Sequence, residues 1–544
     1  MKHRYVTSAV IARAVGEVFE WATTPGWWPH FMPVTMQIDA PDPWRPLRVG
    51  DVVREHLYIG RWRGHVDWTV AELDAPIRCV LTGVSGGERF LSRLGGHHSV
   101  RMELTFDGDA RQTRVTRELA GFDDDLDAAA DVAMTTMASI LENPLLRGPR
   151  PDSTDPALLH EADPLADAAV ASLVGSDGDC SALERFIAGL DRGAPLTDDL
   201  PEPVRRFFDV TSHLPPWTCP PRLAAASDVF LDWGVLALGA HICASLPETY
   251  VMPRIAKLLN LTRQLDADPT HTDRRLWFTV RMCIDVLVQD GLAPGGKGLR
   301  ALQRLRLIHA MVRLFVQHRL ETPQRLSKLA SNALWDSENG LPINQLELLH
   351  TLLTFSHVVI RAFGILGADL TPYQREAYIH LWNVAGVLLG IRAELLPRDA
   401  ADAERMFERM RERYAGPTPD AVELGRALIW FWTSLFPGDV RKDGRELMRF
   451  VISQLLSPET QKINGLDDLP AFSPRAAHSV TEYLEVSGRL FSRVFERVAG
   501  ARQATALFVS LLMRARTHSF EDDSGTFDVP QQLHERWRGV PATR

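Results

Sequence analysis

The spacing of apolar residues changes along this chain, and that change constrains the fold more than any other feature. In the N-terminal part, Met102, Leu104 and Phe106 alternate with polar residues. A period of two is typical of strands that bury one face. From about residue 165 onward, apolar residues instead recur every three or four positions, which is typical of helices packed on a core. The sequence therefore predicts two different domains.

The domain boundaries follow from composition as well as from periodicity. Residues 1–145 are predicted to form an N-terminal α+β domain, and residues 165–516 an all-α domain. Between them, residues 146–164 are rich in proline, which is typical of a linker. Residues 517–544 mix Asp, Gly, Pro, Gln and Arg and predict a flexible tail. A chain of 544 residues is long enough for two or more domains.

The order of elements in the N-terminal domain is the basis for assigning its fold. A helix near Ala14–Thr23, several alternating strands and a long helix from Asp124 to about Glu142 follow a first strand. This order resembles the START-like polyketide cyclase and Bet v 1 superfamily, in which a curved sheet grips the last helix around a cavity. The matching pieces are Val6–Ala12, Ala14–Trp21, Trp27–Pro29, Gly50–Val52 and Val115–Leu119. The resemblance implies binding of an apolar small molecule, whereas a core filled by side chains is the alternative.

In the helical domain, a histidine flanked by arginines lies in the middle of a predicted buried helix. Arg306, His309 and Arg313 are spaced so that they share one face of that helix. A single histidine in an apolar helix is more often a hydrogen-bonded core residue than a ligand. Two flanking guanidinium groups favour a large anionic cofactor, such as haem with its two propionates.

A second pair upstream extends this pattern. Arg275 and Thr279 also share a helix face. Arg-x3-Thr followed by Arg-x2-His-Ala-x2-Arg resembles the MpaB and latex-clearing-protein (rubber oxygenase) family, over roughly residues 165–515. The resemblance implies a haem b cofactor with His309 as the proximal iron ligand and with Arg275, Thr279, Arg306 and Arg313 around the haem. Further matching pieces are Gly340–Gln345 at the start of a helix, Tyr378 with Trp382, Gly386 with Gly390, and Arg441.

One departure from the family bears on the substrate. The polyisoprene-cleaving members carry an acidic base and a lysine above the haem, and neither can be placed in this sequence. Phe278 occupies the position before Thr279 where the lysine is expected. The catalytic residues therefore stay unassigned. We expect a haem-b-dependent oxygenase that acts with dioxygen on an apolar substrate, such as an isoprenoid or polyketide-derived molecule. The alternatives are a non-catalytic haem-binding or sensing protein, and an apolar-ligand-binding protein without haem.

Composition excludes other classes of protein. A net charge of −9 argues against an extended nucleic-acid-binding surface. The five cysteines form no CxxC pair, so we expect no disulfide framework or zinc site and assign the protein to the cytoplasm. The most apolar stretch, 229–246, carries Asp232 and His241 and predicts a buried core helix rather than a transmembrane segment. The glycine-rich segment 291–298 lacks the Ser or Thr of a phosphate-binding loop and predicts a tight turn between two helices.

Overall fold

A computed structural model describes most of the chain and divides it into two compact units. The described residues are 4–59, 62–86, 99–121, 125–143, 150–175, 181–191, 197, 199–264, 270–321, 335, 340–366, 368, 370–434 and 451–467. The first unit comprises Met1–Pro149, Pro216–Val229 and Asp369–Leu381, and the second comprises Arg150–Pro215, Phe230–Ala368 and Trp382–Arg544.

The first unit is built on one antiparallel sheet of seven strands. In chain order the strands are β1 (Arg4–Ile11), β2 (Thr35–Asp39), β3 (Val52–Ile59), β4 (Trp62–Asp74), β5 (Arg78–Gly86), β6 (Ser99–Gly108) and β7 (Thr113–Ala120). Their order across the sheet is β1-β7-β6-β5-β4-β3-β2, so only the pairing of β1 with β7 joins strands that are distant in sequence. The predicted alternation on β6 is confirmed, because Met102, Leu104 and Phe106 are all buried.

Helices cover the apolar face of this sheet. Between β1 and β2 lie α1 (Val15–Ala22), a 3₁₀ turn (Pro25–Trp27) and α2 (Trp28–Phe31). The long helix α3 (Asp125–Glu142) follows β7 and packs against β1. One core joins the inner face of the sheet to α1, α2 and α3. The predicted helix-grip arrangement, in which the sheet holds the last helix, is therefore present.

Two segments from much later in the chain complete the first unit. The hydroxyl of Tyr373 lies 3.1 Å from the Thr136 hydroxyl on α3. Arg222 donates a 3.0 Å hydrogen bond to the carbonyl of His30, and the imidazole of His30 lies 3.7 Å from Glu376. The first unit thus includes residues that lie beyond the proline-rich stretch.

The second unit is made of helices, two of which also contribute residues to the first unit. They are α4 (Pro164–Ala171), α5 (Ser181–Asp191), α6 (Glu202–Thr211), α7 (Pro220–Ala240), α8 (Leu246–Tyr250), α9 (Pro253–Gln264), α10 (Thr270–Leu287), α11 (Lys297–Glu321), α12 (Gln345–Ile365), α13 (Pro372–Leu388), α14 (Ala400–Tyr414) and α15 (Pro419–Ser434). Shorter turns are Pro156–His160, the π-helical His241–Ser245, Ala393–Leu395 and Pro458–Ile463. The predicted turn at 291–298 lies at the connection between α10 and α11.

Helix α12 lies at the centre of the second unit. The Asn344 side chain caps it by accepting a 2.9 Å hydrogen bond from the backbone of Glu347, which explains why the helix begins at Gln345. Among the described residues, α12 is the one unbroken helix long and apolar enough to cross a membrane. Within its most apolar window, 72% is buried inside the protein, as is usual for the core helix of a globular domain.

Part of the proline-rich stretch also packs in the second unit. Ser153, Thr154, Leu158 and Asp163 are buried, and Arg150 pairs with Asp402. Proline starts short helices here, at Pro156 and Pro164. The carboxylates of Asp155 and Asp163, just before them, cap the backbone N–H groups that follow. Residues from 150 onward are therefore packed against the helices.

Candidate functional site

The candidate site is organised by α11 and by the turn that precedes it. The turn joins α10 to α11, as the glycine-rich segment predicts. A Cβ atom added to Gly291 would lie 2.2 Å from the carbonyl oxygen of Asp285, so no other residue fits there without a shift of the backbone. On the far side of α11, Leu307, Ile308 and Met311 share a core with α4, α5 and α6. The two helices that carry the predicted site residues are thus held close together.

His309 lies on α11 with no hydrogen bond from either ring nitrogen to any described residue. Its Nδ1 atom is buried, while part of the side chain remains exposed. Burial, reinforced by the nearby charge of Arg313, lowers the pKa of His309 to about 3. A side chain that keeps some exposed surface yet is largely surrounded by protein lies in a cleft. The imidazole is therefore neutral at ordinary pH and has a lone pair free for a ligand.

Arg306 is engaged in a buried ion pair. Its Nε and Nη2 donate to the two carboxylate oxygens of Asp163 at 2.6 and 2.9 Å. Its Nη1 donates to the carbonyls of Val387 and Leu388, each at 3.3 Å. Gly390 passes so close that a Cβ atom would lie 2.5 Å from the Asp163 carboxylate, and its φ of +94° also requires glycine. Arg306 thus joins α11 to the start of α4 and the end of α13.

Arg313 lies about two turns further along the same face of α11 and forms a second ion pair. Its Nε donates to the Asp167 carboxylate at 2.8 Å, and its Nη1 donates to the carbonyl of Ile343 at 3.1 Å. Burial raises the pKa of Asp167 against the opposing effect of Arg313. Ile343 has a φ of +53°, which is strained for a β-branched residue. Arg313 and the Glu347 carboxylate, which accepts from the Ile343 N–H at 2.8 Å, hold this strained residue on both sides.

The remaining predicted residues are placed with less detail. Thr279 is partly buried on α10 and has an interaction partner. Arg275 belongs to α10, but its side chain lies outside the described part of the chain, as does all of Arg441. The ring of Phe278 packs under the guanidinium of Arg304 at 4.8 Å. The position expected to carry a lysine thus carries an aromatic ring covered by a neighbouring arginine.

An aromatic cluster, which the sequence did not predict, lies elsewhere in the second unit. His241, Phe355 and Trp382 contact one another with ring centroids 5.3 to 5.7 Å apart. His241 begins a π-helical turn, a rare element that often marks functional sites. Burial lowers the pKa of His241 to about 3. The buried indole N–H of Trp382 has no hydrogen-bond acceptor among the described residues, so this cluster is a second candidate for contact with a bound molecule.

Other histidines are largely explained by their protein neighbours. The Nε2 atom of His350 lies 3.0 Å from the Glu248 carbonyl, and the ring stacks on Phe407. His380 accepts a 2.9 Å hydrogen bond from the backbone of Cys219, which fixes its ring and removes it as a free ligand. His357 also contacts Phe407 and keeps a buried Nε2 without a partner among the described residues.

Cysteines and acidic residues offer no clustered metal site in the described part of the chain. No group of three or more His, Cys, Asp or Glu side chains there could hold a metal ion. Cys79, Cys219, Cys243 and Cys283 are buried and free. A haem iron needs only one protein ligand, so these observations do not bear on His309.

Asp163 and Asp167 are the site residues that sequence reasoning missed. Both lie at the start of α4, where Asp163 accepts from the Ala166 backbone at 3.3 Å as an N-cap. The Asp163-Pro164 pair is a recognisable start signal for a helix, and it lies inside the stretch predicted to be a linker. The signal could have located the helix, although not the arginine that faces it.

Comparison with known proteins connects this site to a family of oxygenases. A family model described as the catalytic domain of ER-bound oxygenase mpaB/B' and rubber oxygenase matches residues 228–488. The helical part of this chain resembles that catalytic domain. His309, Arg306, Arg313, Arg275 and Thr279 all fall within the match.

One curated relative and two solved structures are also similar to parts of this chain. A rubber oxygenase from Streptomyces sp. (strain K30) is 24% identical over 288 residues, which are 52% of this chain and 65% of that protein. The chain therefore spans just under two thirds of the length of this relative. The structure of latex clearing protein LCP in the closed state is 20% identical, covers 64% of this chain and 95% of its own, and has a TM-score of 0.46. The structure of ginseng major latex-like protein 151 from Panax ginseng is 15% identical, covers 25% of this chain and 96% of its own, and has a TM-score of 0.21.

Proposed function

We propose that the helical domain is a haem-b-dependent oxygenase that acts with dioxygen on an apolar small molecule. The observation that carries the proposal is His309, a neutral imidazole without hydrogen bonds to described residues, inside a region matched by an oxygenase catalytic domain. The exposed remainder of the residue leaves the ring accessible, so a ligand bond to iron is compatible with this arrangement.

The imidazole of His309 suits a haem ligand, whereas Arg306 and Arg313 already have carboxylate partners within the protein. The imidazole itself fits an axial ligand, because its low pKa keeps the lone pair available for iron. The guanidinium groups of Arg306 and Arg313 are already neutralised by Asp163 and Asp167. Direct pairing of these arginines with haem propionates therefore stays a prediction. The contacts favour a bracing role, in which the two ion pairs hold α11 and so orient His309.

Haem would supply the binding and activation of dioxygen, and the protein would supply orientation and exclusion of water. His309 would hold the iron, and Thr279 and Arg275 on the neighbouring α10 would line the same site. Phe278 stands where the lysine beside Thr279 is expected, and its ring lies under the guanidinium of Arg304. We propose no acid–base residue, because Asp163 and Asp167, the two carboxylates paired with the arginines that flank His309, are already engaged.

The test is a comparison of absorption spectra before and after reduction with dithionite. A Soret band is expected for the wild-type protein and should be lost in His309→Ala, whereas helical circular dichroism should be retained. His357→Ala removes another buried imidazole from the helical unit and should keep the band. Full haem content with an unchanged spectrum in His309→Ala would remove the axial assignment.

Two alternatives give different results in the same assays. A haem-binding or sensing protein would keep the Soret band yet consume no dioxygen when a long-chain alkene is supplied. An apolar-ligand-binding protein without haem would be colourless. We place the protein in the cytoplasm and expect no nucleic-acid partner, given its net charge of −9.

A further inference from the structure

The core of the first unit contains an almost fully buried arginine, Arg117, which has no role in the proposed haem chemistry. Arg117 is on β7 and points to the same face of the sheet as Val115 and Leu119, both of which are buried core residues. Only 7% of its surface is exposed. Arginine is almost never this buried unless a carboxylate or phosphate accompanies it.

The hydrogen-bond partners of Arg117 are two uncharged methionine sulfurs, which do not neutralise a buried cation. Its Nε lies 3.3 Å from the sulfur of Met102, and its Nη2 lies 3.4 Å from the sulfur of Met32. A thioether is a weak acceptor and carries no charge. Among the described residues, no carboxylate oxygen comes within 4.0 Å of the guanidinium, and no hydrogen bond from Nη1 is formed. Burial accordingly lowers the pKa of Arg117 to about 10.

Glu55 is the carboxylate whose charge raises the pKa of Arg117, but its oxygens accept hydrogen bonds from other residues. Glu55 on β3 is also buried, and its two oxygens accept hydrogen bonds from the Thr35 hydroxyl at 2.5 Å and from the Trp68 indole at 2.8 Å. Its charge favours the protonated form of Arg117 only across a longer distance. Glu55 therefore does not provide the fork of acceptors that a guanidinium binds.

A buried cation that has only weak, uncharged acceptors opposes folding, so its presence calls for a compensating role. The surroundings of Arg117 are apolar, since they belong to the core between the sheet and helices α1, α2 and α3. We propose that the interior of the first unit binds an apolar organic anion, a molecule with a carboxylate or enolate oxygen, and that Arg117 is the residue that binds this oxygen.

The test uses two fluorescent molecules that differ by one charge, with the full-length protein. Anilinonaphthalene sulfonate is an apolar anion, and N-phenylnaphthylamine has the same rings without the sulfonate. Arg117→Met keeps the length of the side chain and removes its charge. We expect this variant to weaken binding of the anion by about ten- to a hundredfold, the loss of one charge-assisted hydrogen bond, and to leave binding of the neutral molecule unchanged.

Arg114→Met is the matched control, because Arg114 lies on the same strand with its side chain exposed on the outer face. It should change neither affinity. Arg117→Met should also raise the midpoint of thermal unfolding, since it removes an unpaired charge from the core. A lowered midpoint with equal losses for both molecules would instead make Arg117 a structural residue and overturn the proposal.

A second measurement needs no variant and keeps the proposal open to refutation if Arg117→Met fails to fold. Decanoate and decanol have the same chain and differ in the charge of the head group. Decanoate should displace the bound anionic fluorophore from the wild-type protein at least tenfold more effectively than decanol. Equal displacement by the two competitors, or displacement by neither, contradicts recognition of an organic anion.

Discussion

Replacing Arg306 by methionine tests whether this arginine braces the site or binds a cofactor. The substitution removes a bidentate pair to Asp163 and two hydrogen bonds to the carbonyls of Val387 and Leu388. It also leaves Asp163 without its cation, and the side chain of Asp163 is only 3% exposed. The damage is thus the isolation of a buried carboxylate together with the loss of the hydrogen bonds.

Breaking a buried ion pair by removing one partner costs about 3–5 kcal/mol, because the charge left behind remains desolvated. Removing both partners together costs far less, since no uncompensated charge remains. We therefore expect Arg306→Met to lower the free energy of unfolding by about 3–5 kcal/mol. Asp163→Leu combined with it should restore that loss except for about 1 kcal/mol, because Asp163 also caps α4. The coupling between the two residues should be about 2 kcal/mol or more.

Urea unfolding followed by helical circular dichroism measures these values, and the Soret band reports haem content in the same samples. Arg281→Met is the matched control, because Arg281 pairs with Asp285 at 3.6 Å on the exposed side of α10. Its loss should cost no more than about 1 kcal/mol. In a bracing role, the double variant recovers haem content together with stability.

Recovery of stability without recovery of haem would refute the bracing role and support a direct contact between Arg306 and a propionate. A second result would also contradict the reasoning. If Arg306→Met is as stable as Arg281→Met, the Arg306–Asp163 ion pair contributes little to stability. Leaving the buried carboxylate of Asp163 without its cation then costs far less than the expected value of about 3–5 kcal/mol.

Further predictions concern pH, thiols and the first unit. Burial holds the pKa values of His309 and His380 near 3, so the native state stays unprotonated while the unfolded state gains protons below about pH 6.5. Stability should fall by up to about 2 kcal/mol per residue between about pH 7 and about pH 5, and an unchanged urea midpoint would refute this. Ellman's reagent should leave the four buried thiols unmodified until urea is added, because burial raises the pKa of Cys79 to about 12. A fragment of residues 1–149 should remain mainly β but unfold at a lower temperature than the complete unit, since Thr136 loses Tyr373; equal midpoints would contradict this.

Local patterns were enough to predict most of the fold. The alternation at Met102, Leu104 and Phe106 identified β6, because a strand buries every second side chain. The last helix of the first unit was predicted from Asp124 to about Glu142 and is found at Asp125–Glu142. Such features depend on residues only a few positions apart, so one sequence contains the necessary information.

Contacts between distant residues were not predictable in the same way. The pattern around His309 indicated that Arg306 and Arg313 share a face, but not that Asp163 and Asp167 would lie opposite. Periodicity shows which face of a helix is covered and is silent on what covers it. The buried Arg117 was missed for a related reason, since an arginine in an alternating strand is ordinarily assigned to the exposed face.

The discontinuous first unit also determines when it can be completed during synthesis. Its sheet and α3 lie within residues 1–149, yet the segment ending at Leu381 emerges only after more than 200 further residues have been added. At bacterial and eukaryotic rates of roughly 5–20 residues per second, that delay is on the order of 10–50 s. Through this interval the hydroxyl of Thr136, whose partner is Tyr373, must be hydrated or bound by another molecule. A nascent chain stalled after residue 149 is therefore expected to bind chaperones on the face that Tyr373 and Arg222 later cover.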